Sequence, residues 1–390
     1  MEVLRCASCG LPNSRVGIKF DGSGVCSVCR HHEFKNQGVD WDRQRIELEE
    51  YADSIRNRGP YDAIVPFGGG KDGAFTLFYL VKHLKLRCLA VTIDNHFLRD
   101  QAKKNCAKVL DELGVDQIVY RPPFSLVTKL MKKGLELGGT VCWHCNSAIA
   151  AFPVRMAVDR EIPLVFYAHS LKEYYSYPGR TYRDDFGSDV MDQEWYELVS
   201  GVNFDKMKDA LPDLDARALK PFSFPTKEEI HRSDVRAVFL SNYIIWDEKS
   251  QSKIIQREMG WQGDNQEGVP NSRNYEKFDC FLVGTHDYLR FIREGYGRGA
   301  RLGAIETRMN RMTQEEAINL GRSSDGIRPH SLDNVLKILD CSEQEFVNFA
   351  KNHASSNSKF KLQKNNIGPP LHDADRMASV DRTDNKESPD

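Results

Sequence analysis

An α/β fold built on a doubly wound, mostly parallel sheet follows from three features of the sequence. Short apolar runs alternate with stretches of helical length. A glycine-rich loop stands between the first run and the stretch after it, and several runs end in polar residues that would share one sheet edge. The run YDAIVPF (61–67) reads as a strand ended by glycines, and AFTLFYLVKHL (74–84) as the helix that follows. LRCLAVTID (86–94), DQIVYRP (116–122) and PLVFYAHS (163–170) repeat the strand pattern, with QAKKNCAKVLDELG (101–114) a helix closed by Gly114. The segments at 125–138 and 146–161 read as further helices. This places the α/β domain at 60–250.

Smaller parts are expected around it, because 390 residues exceed what one hydrophobic core usually serves. Residues 1–40 carry four cysteines and few large apolar residues, too little to form a core unaided. The charge-rich 41–59 reads as a linker helix with a wet polar face. After the α/β domain, 227–242 is expected to be helical and 243–247 a short apolar piece. Residues 251–352 form a mainly helical C-terminal region for substrate or partner, in which Thr313 and Glu316 fit a capping box. The polar 353–390 should form a disordered tail, since burial there cannot offset ordering entropy.

Composition narrows the function. Lys plus Arg count 54 against 56 for Asp plus Glu, so no global field draws nucleic acid or an anionic membrane. No apolar run reaches the roughly 18 residues that span a bilayer, and the N-terminus lacks a signal-peptide core, so the chain is expected in the cytoplasm. Six of its ten cysteines fall in Cys-x-x-Cys pairs, which in a reducing compartment points to metal before disulfides.

Cys6-x-x-Cys9 and Cys26-x-x-Cys29 stand sixteen residues apart, a spacing that closes a tetrahedral zinc site. With four thiolates the site is structural, and His31 and His32 are expected at the surface. Cys142 and Cys145 leave three readings open: a buried pair, a zinc site completed by a distant ligand such as Cys280 or His144, or an iron–sulfur cluster. Cys280 is the one plausible third thiol for a cluster.

The loop Gly68-Gly69-Gly70-Lys71-Asp72-Gly73 follows a strand and opens a helix, an arrangement that aims backbone N–H groups at an anion. Lys71 would add a point charge to a phosphate and Asp72 would hold the Mg²⁺ of ATP; a plain glycine turn is the alternative. The loop resembles the PP-loop of ATP pyrophosphatases, Ser-Gly-Gly-x-Asp-Ser, matching at Gly69, Gly70 and Asp72 and departing at Gly68 and Gly73. Each departure removes a hydroxyl, which would weaken nucleotide binding. The resemblance implies the adenine-nucleotide alpha-hydrolase-like fold. It also implies that Thr92, Asp94 and Asn95 approach the nucleoside, and that His169, Ser170 and Glu173 approach the reacting phosphate. Asp94 as a helix N-cap and His169 as a structural histidine are the competing readings.

The series Gly284-Thr285-His286-Asp287-Tyr288-Leu289-Arg290-Phe291, then Glu294-Gly295-Tyr296-Gly297-Arg298, then Arg308 and 312–317, is similar to the N-acetyl sugar amidotransferase family. Relatives commonly continue Gly-Arg-Ala-Thr-Asp where this chain has Gly299-Ala300-Arg301-Leu302-Gly303, so the loop nearest the sugar should differ. The resemblance, over roughly 3–340, implies that ATP adenylates the acetamido oxygen of a surface-polysaccharide or nonulosonic sugar. Ammonia then displaces AMP to leave an acetamidino group. His286 or Asp287 would move protons, and Arg290, Arg293 and Arg298 would grip a carboxylate or diphosphate unless they form a solvated face. Tyr288 and Tyr296 would pack or stack on a sugar. No glutaminase motif is present, so a separate glutaminase subunit and a cyclase-like barrel companion are implied as the ammonia source. Two rivals remain: a tRNA sulfur transferase using Cys142 and Cys145, against which the balanced charge argues, and a non-catalytic scaffold.

Overall fold

The computed structural model describes residues 4–14, 18–169 and 202–355, and the backbone of one further strand at 363–367. In the N-terminal part, Cys26 caps α1 (Ser27–Gln37), its sulfur accepting the Cys29 N–H. Asp40 caps α2 (Trp41–Ile55), which buries Leu48, Ala52 and Ile55 against the α/β body and leaves its charged residues in water.

Five parallel strands follow: β1 (Ala63–Pro66), β2 (Cys88–Ile93), β3 (Asp116–Tyr120), β4 (Leu164–Tyr167) and β5 (Arg236–Phe239), in the order β3-β2-β1-β4-β5. Successive strand residues alternate between two covered faces, as the period of two requires. Ala63, Val65, Cys88, Ala90, Leu164 and Phe166 pack with α3 (Lys71–Phe78) and α4 (Asp100–Leu113). Ile64, Leu89, Val91 and Val165 pack with Val154 and Ala157 of α6 (Trp143–Asp159), which follows α5 (Phe124–Gly138). The sheet is therefore doubly wound, and its order reverses between β1 and β4, so the carboxyl ends of those strands form the crevice.

Beyond β4, α7 (Phe204–Asp209) and α8 (Ala216–Leu219) lead to a departure from the sequence expectation. The single helix expected over 227–242 is α9 (Lys227–Ser233), a left-handed turn at Asp234, and then edge strand β5. Apolar Ala237, Val238 and Phe239 are buried beside β4, so tertiary pairing overrides the helical reading of this short piece. A boundary at 250 also cuts α10 (Glu248–Met259), which packs on α3 and carries Ile255 and Met259 into the core beneath the sheet.

The C-terminal region is helical: α11 (Val283–Glu294), α12 (Arg298–Arg308), α13 (Gln314–Ser324), α14 (Ser331–Leu339) and α15 (Glu343–Asn352). The capping box at Thr313 and Glu316 is present. Helices α11, α14 and α15 bury Leu289, Ile292, Val335 and Phe346 against Val127, Met131 and Leu135 of α5, so this region shares a core with the α/β body. Residues 299–303, expected in a loop, lie in α12. Within the expected tail, β7 (Gln363–Ile367) pairs in parallel with β6 (Ile327–Arg328), a strand where none was expected; the rest of 356–390 lies outside the described residues. Among the described residues no helix is long and apolar enough to cross a membrane.

Helix α12 starts at Gly297, which offers no side-chain cap. Asp325 supplies one from 25 or more residues downstream, accepting the N–H groups of Gly297 and Gly299 at 2.7 Å each and of Ala300 at 3.2 Å. Burial pushes its carboxyl up to about 6 despite those three donors. A raised carboxyl favours folding below its unfolded value, and that contribution is lost as pH rises through about 6. Urea titrations of Asp325→Ala should show a loss of about 2–3 kcal/mol from the orphaned N–H groups. The variant's stability should also be flatter than wild type between about pH 4 and 6.

Candidate functional site

The glycine-rich loop at 68–70 fills the turn between β1 and α3. Gly69 has φ +88°, and a Cβ there would stand 2.0 Å from the Ala102 carbonyl oxygen on α4, so only glycine fits. Its own carbonyl accepts from Trp261 Nε1 at 2.9 Å and Asn105 Nδ2 at 3.2 Å, which fixes the loop from two sides. Helix α3 begins at Gly70 with no side-chain cap, leaving its first turn as the anion-facing end. The two departures from the PP-loop pattern differ physically. A Cβ on Gly73 would lie 2.9 Å from both Pro66 O and Phe67 Cδ2, whereas one on Gly68 would meet nothing within 4 Å.

Lys71 and Asp72 sit in a buried charge network. Lys71 Nζ is 3.2 Å from Asp72 Oδ2, 3.2 Å from Glu248 Oε2 on α10 and 3.5 Å from Glu276 Oε2. Burial opposes the Lys71 charge, but the three carboxylates hold its pKa well above the usual lysine value. Burial, opposed by Lys71 and reinforced by Glu276 and Asp72, pushes the Glu248 carboxyl up to about 7. His169, at the end of β4, is 3.6 Å from Asp72 Oδ2, and that carboxylate raises its pKa against burial. One ligand atom each from Asp72, His169 and Glu248 falls within 4.8 Å of the others, and the buried Oδ1 of Asp72 has no hydrogen-bond partner among the described residues. These donors fit a divalent cation.

Glu276 carries the network onward. Its Oε1 accepts from Arg298 at 2.7 Å and Arg301 at 2.8 Å, and Arg298 also grips Asp287 at 2.5 and 3.1 Å. Asp287 is therefore committed to an arginine, and the proton-moving role expected for it becomes one of positioning. Arg298 is likewise committed, Arg290 bonds His286 Nε2 at 2.9 Å, and Arg293 donates to Gly138 O. The three arginines expected to grip substrate serve the protein's own structure.

A cavity of about 160 Å³ opens beside the loop at the carboxyl ends of β1 and β2. Phe67 and Gly68 line it together with Lys277, Asp279 and His286. Burial, then Arg290 and Lys277, hold the His286 imidazole well below its usual pKa, so it is neutral. Because Arg290 can only donate to Nε2, His286 carries its proton on Nδ1 and offers an N–H rather than a base. The cavity is also lined by Cys142 and Cys145 from the start of α6 and by Cys280. Asn95 donates to the Cys145 sulfur at 3.4 Å and the Cys280 sulfur at 3.5 Å. Asn95 thus faces thiols rather than a nucleoside.

Other expected residues lie as follows. Thr92 is buried between Phe67 O and Gln117, so its hydroxyl is used internally. Asp94 accepts the His96 N–H and pairs with Arg121, and the N-cap of α4 is Arg99, so the capping reading fails. Ser170 and Glu173 lie outside the described residues. Tyr288 and Tyr296 are buried in cores, and Tyr296 packs on the N-terminal cysteines. His31 is buried, not at the surface.

Cys6, Cys9, Cys26 and Cys29 gather with sulfurs 3.9 Å apart for Cys6–Cys29 and 3.8 Å for Cys9–Cys26. A tetrahedral ion with sulfur at about 2.3 Å sets its sulfurs about 3.8 Å apart, so the quartet fits a metal. Backbone N–H groups of Cys9, Cys26 and Cys29 already point at the sulfurs. This module rests on α12 and α13, where Gln314 donates to Cys6 O and Arg308 approaches the Cys9 sulfur.

Strand order, loop and sheet-end crevice together decide the class of the body. The α/β body is a doubly wound, parallel-sheet domain with a glycine-rich loop between β1 and α3. Residues 272–371 match the C-terminal domain of WbpG-like LPS biosynthesis proteins, a span that holds Glu276, Lys277, Asp279, Cys280, His286 and Arg298. An uncharacterized protein of Methanocaldococcus jannaschii, MJ1599, is 24% identical over 148 residues, 37% of this chain and 52% of that protein, so the match spans about half of the relative. Among solved structures, NMN synthetase from Francisella tularensis aligns at 11% identity and TM-score 0.33, over 84% of this chain and 99% of that one. The U34-tRNA thiolase NcsA of Methanococcus maripaludis, with its [4Fe-4S] cluster, aligns at 12% and 0.32 over 94% and 92%. The NH3-dependent NAD synthetase of Campylobacter jejuni aligns at 13% and 0.28 over 59% and 100%.

Glu248, Glu276 and Asp279 were not singled out by sequence. None of the three lies in a recognisable motif. The two loop glycines give a direct check. Gly68→Ser should fold with stability within about 0.5 kcal/mol of wild type. Gly69→Ala should lose more than about 2 kcal/mol in a denaturant melt and abolish ATP binding in calorimetry.

Proposed function

We propose that the chain is an ATP-dependent, AMP-forming amidotransferase that converts the N-acetyl group of a bacterial surface sugar into an acetamidino group. One observation carries the reading. The phosphate loop shares a cavity with Lys277, Asp279 and His286, and these come from the segment that matches WbpG-like LPS biosynthesis proteins. ATP and an LPS-type sugar would thus meet across one cavity.

The chemistry follows from the groups present. The acetamido oxygen attacks the α-phosphorus of ATP, and the bond to pyrophosphate breaks. Ammonia then adds to the imidate carbon, and the C–O bond to AMP breaks, leaving a C–N bond. The loop N–H groups and Lys71 hold the phosphates, and Asp72, Glu248 and His169 would hold Mg²⁺, which neutralises phosphate charge when bound. His286 donates its Nδ1–H toward the oxygen being lost, and the Asp279 carboxylate is the acceptor in the cavity for the proton that ammonia must shed. The N-terminal quartet would hold Zn²⁺ and brace α12 and α13. Ammonia would come from a separate glutaminase subunit with a cyclase-like barrel companion, as the family resemblance implies.

Sulfur transfer to tRNA is the second reading, favoured by the three cysteines in the same cavity. AMP and pyrophosphate release should be assayed with ammonium and a panel of N-acetylated nucleotide sugars and nonulosonic acids. Sugar-dependent AMP that falls at least about 100-fold in Lys71→Ala and Asp72→Ala supports amidation. AMP formed only with tRNA and a sulfur donor establishes the second reading, and absence of nucleotide binding leaves a scaffold.

Metal analysis checks the N-terminal quartet separately. About one zinc per chain is expected in wild type and none at that site in Cys26→Ser. Protease should then cut the variant first within residues 4–38.

A further inference from the structure

We propose that Lys277 is the anion-binding residue of the cavity beside the phosphate loop, and that the acceptor sugar carries a carboxylate or phosphate group which this ammonium holds. The inference deepens the amidotransferase reading and rests on it for the identity of the ligand.

Backbone conformation singles the residue out. Lys277 has φ +27°, whereas the other described non-glycine residues of positive φ lie between +49° and +69°, around the left-handed well that L-residues can occupy. Such a conformation persists only where the surroundings impose it, and here they do so from both sides. Glu276 is clamped by Lys71, Arg298 and Arg301. Phe278 is buried in the core against Trp261, and the Asp279 carbonyl accepts the Arg99 N–H at 3.0 Å. Lys277 itself is exposed at the cavity that it lines. An exposed lysine alone needs no explanation. One on strained backbone does, because glycine would relieve the strain and water makes no demand for a charge.

The charge is also uncommitted. Among the described residues no ion pair or side-chain hydrogen bond engages Lys277, unlike Arg290, Arg293 and Arg298, which hold His286, Gly138 and Asp287. Its field nevertheless reaches the cavity. Burial pushes the Cys142 and Cys145 thiols up to about 12 and 11, and Lys277 opposes the rise at both. Burial raises Cys280 likewise, so the three thiols are neutral, as His286 is, and none of them repels an anion. Lys277 is then the one cation, and Asp279 the one anion, among the described residues that line the cavity. The apolar lining of Ile93, Ile149 and Leu282 suits an acetamido methyl but cannot orient a sugar, and Asn95 is committed to the Phe97 N–H and two sulfurs. A lysine ammonium is a point charge with three donors, suited to an oxyanion of either kind.

The test is calorimetric binding to the full chain, its nucleotide site filled with α,β-methylene ATP. N-acetylneuraminic acid brings a carboxylate, UDP-N-acetylglucosamine a diphosphate, and N-acetylglucosamine neither. One anionic probe should bind at least about 10-fold more tightly than the neutral sugar, and which one does so identifies the anion. Lys277→Gly should erase that preference and Lys277→Arg should keep it. The glycine variant should hold the ATP analogue within about twofold of wild type, and its urea midpoint should stand at or above wild type because the strain is gone. Should Lys277→Gly fail to fold, wild type answers alone: the bound anionic probe should shield Lys277 from an amine-acylating reagent, and the neutral sugar should not. Equal binding of charged and neutral probes, a preference that survives in Lys277→Gly, or a loss of ATP-analogue affinity in its place overturns the inference. Sugar-dependent AMP formation that ignores Lys277 leaves amidation standing without it. Lys277-dependent anion binding with no AMP formed keeps the site and removes amidation.

Discussion

Glu276 lies buried between Lys71 of the phosphate loop and two arginines of α12, Arg298 and Arg301. A carboxylate and an ammonium taken out of water each cost several kcal/mol, and attraction offsets that only when every partner is in place. Here Lys71, Arg301 and Arg298 together hold the Glu276 carboxyl well below its usual range in spite of its burial. The phosphate loop is therefore not an independent device. Lys71 keeps its position only if the segment that delivers Glu276 is docked, and that segment is held by α12, which Asp325 caps and the cysteine module covers. A body ending after β5 would bury a lysine beside Asp72 with neither Glu248 nor Glu276 to balance the site.

Local chemistry made half of this legible in the sequence. The strands, the loop and the helix after it announce themselves within a few residues, because period, glycine and strand-to-helix order all act locally. The quartet was legible for the same reason, two short turns at metal spacing. What escaped was long-range. Glu248 and Glu276 stand some 180–200 residues from Lys71, and nothing in their neighbourhoods marks them until the sheet brings α10 and the 276 segment to its carboxyl edge. The helical reading of 227–242 fails because four residues of edge strand cannot be told from helix when burial beside β4 decides the matter.

Adjacent motif residues illustrate a second limit. His286 and Asp287 read as one functional pair, yet neighbours on a helix point about 100° apart. His286 lines the cavity and Asp287 accepts from Arg298, so one motif serves two purposes, a cavity wall and a buried ion pair. The arginines divide the same way. What looked like a substrate clamp is a set of internal struts, while Lys277 is, among the described residues, the lysine that lines the cavity.

The loop glycines bear on whether the site is spent. Loss of two hydroxyls from a phosphate loop invites the view that catalysis has been abandoned, but the surroundings argue otherwise. Gly73 is glycine because Pro66 and Phe67 crowd against it, a packing solution in which a hydroxyl has no room. Gly68 is open, and it lines the same cavity as the three cysteines. A serine there would find open space rather than a clash. The loop N–H groups, Lys71, Asp72 and the buried acids behind them are all in place, and holding several buried charges in register carries a desolvation cost that a mere scaffold would not need.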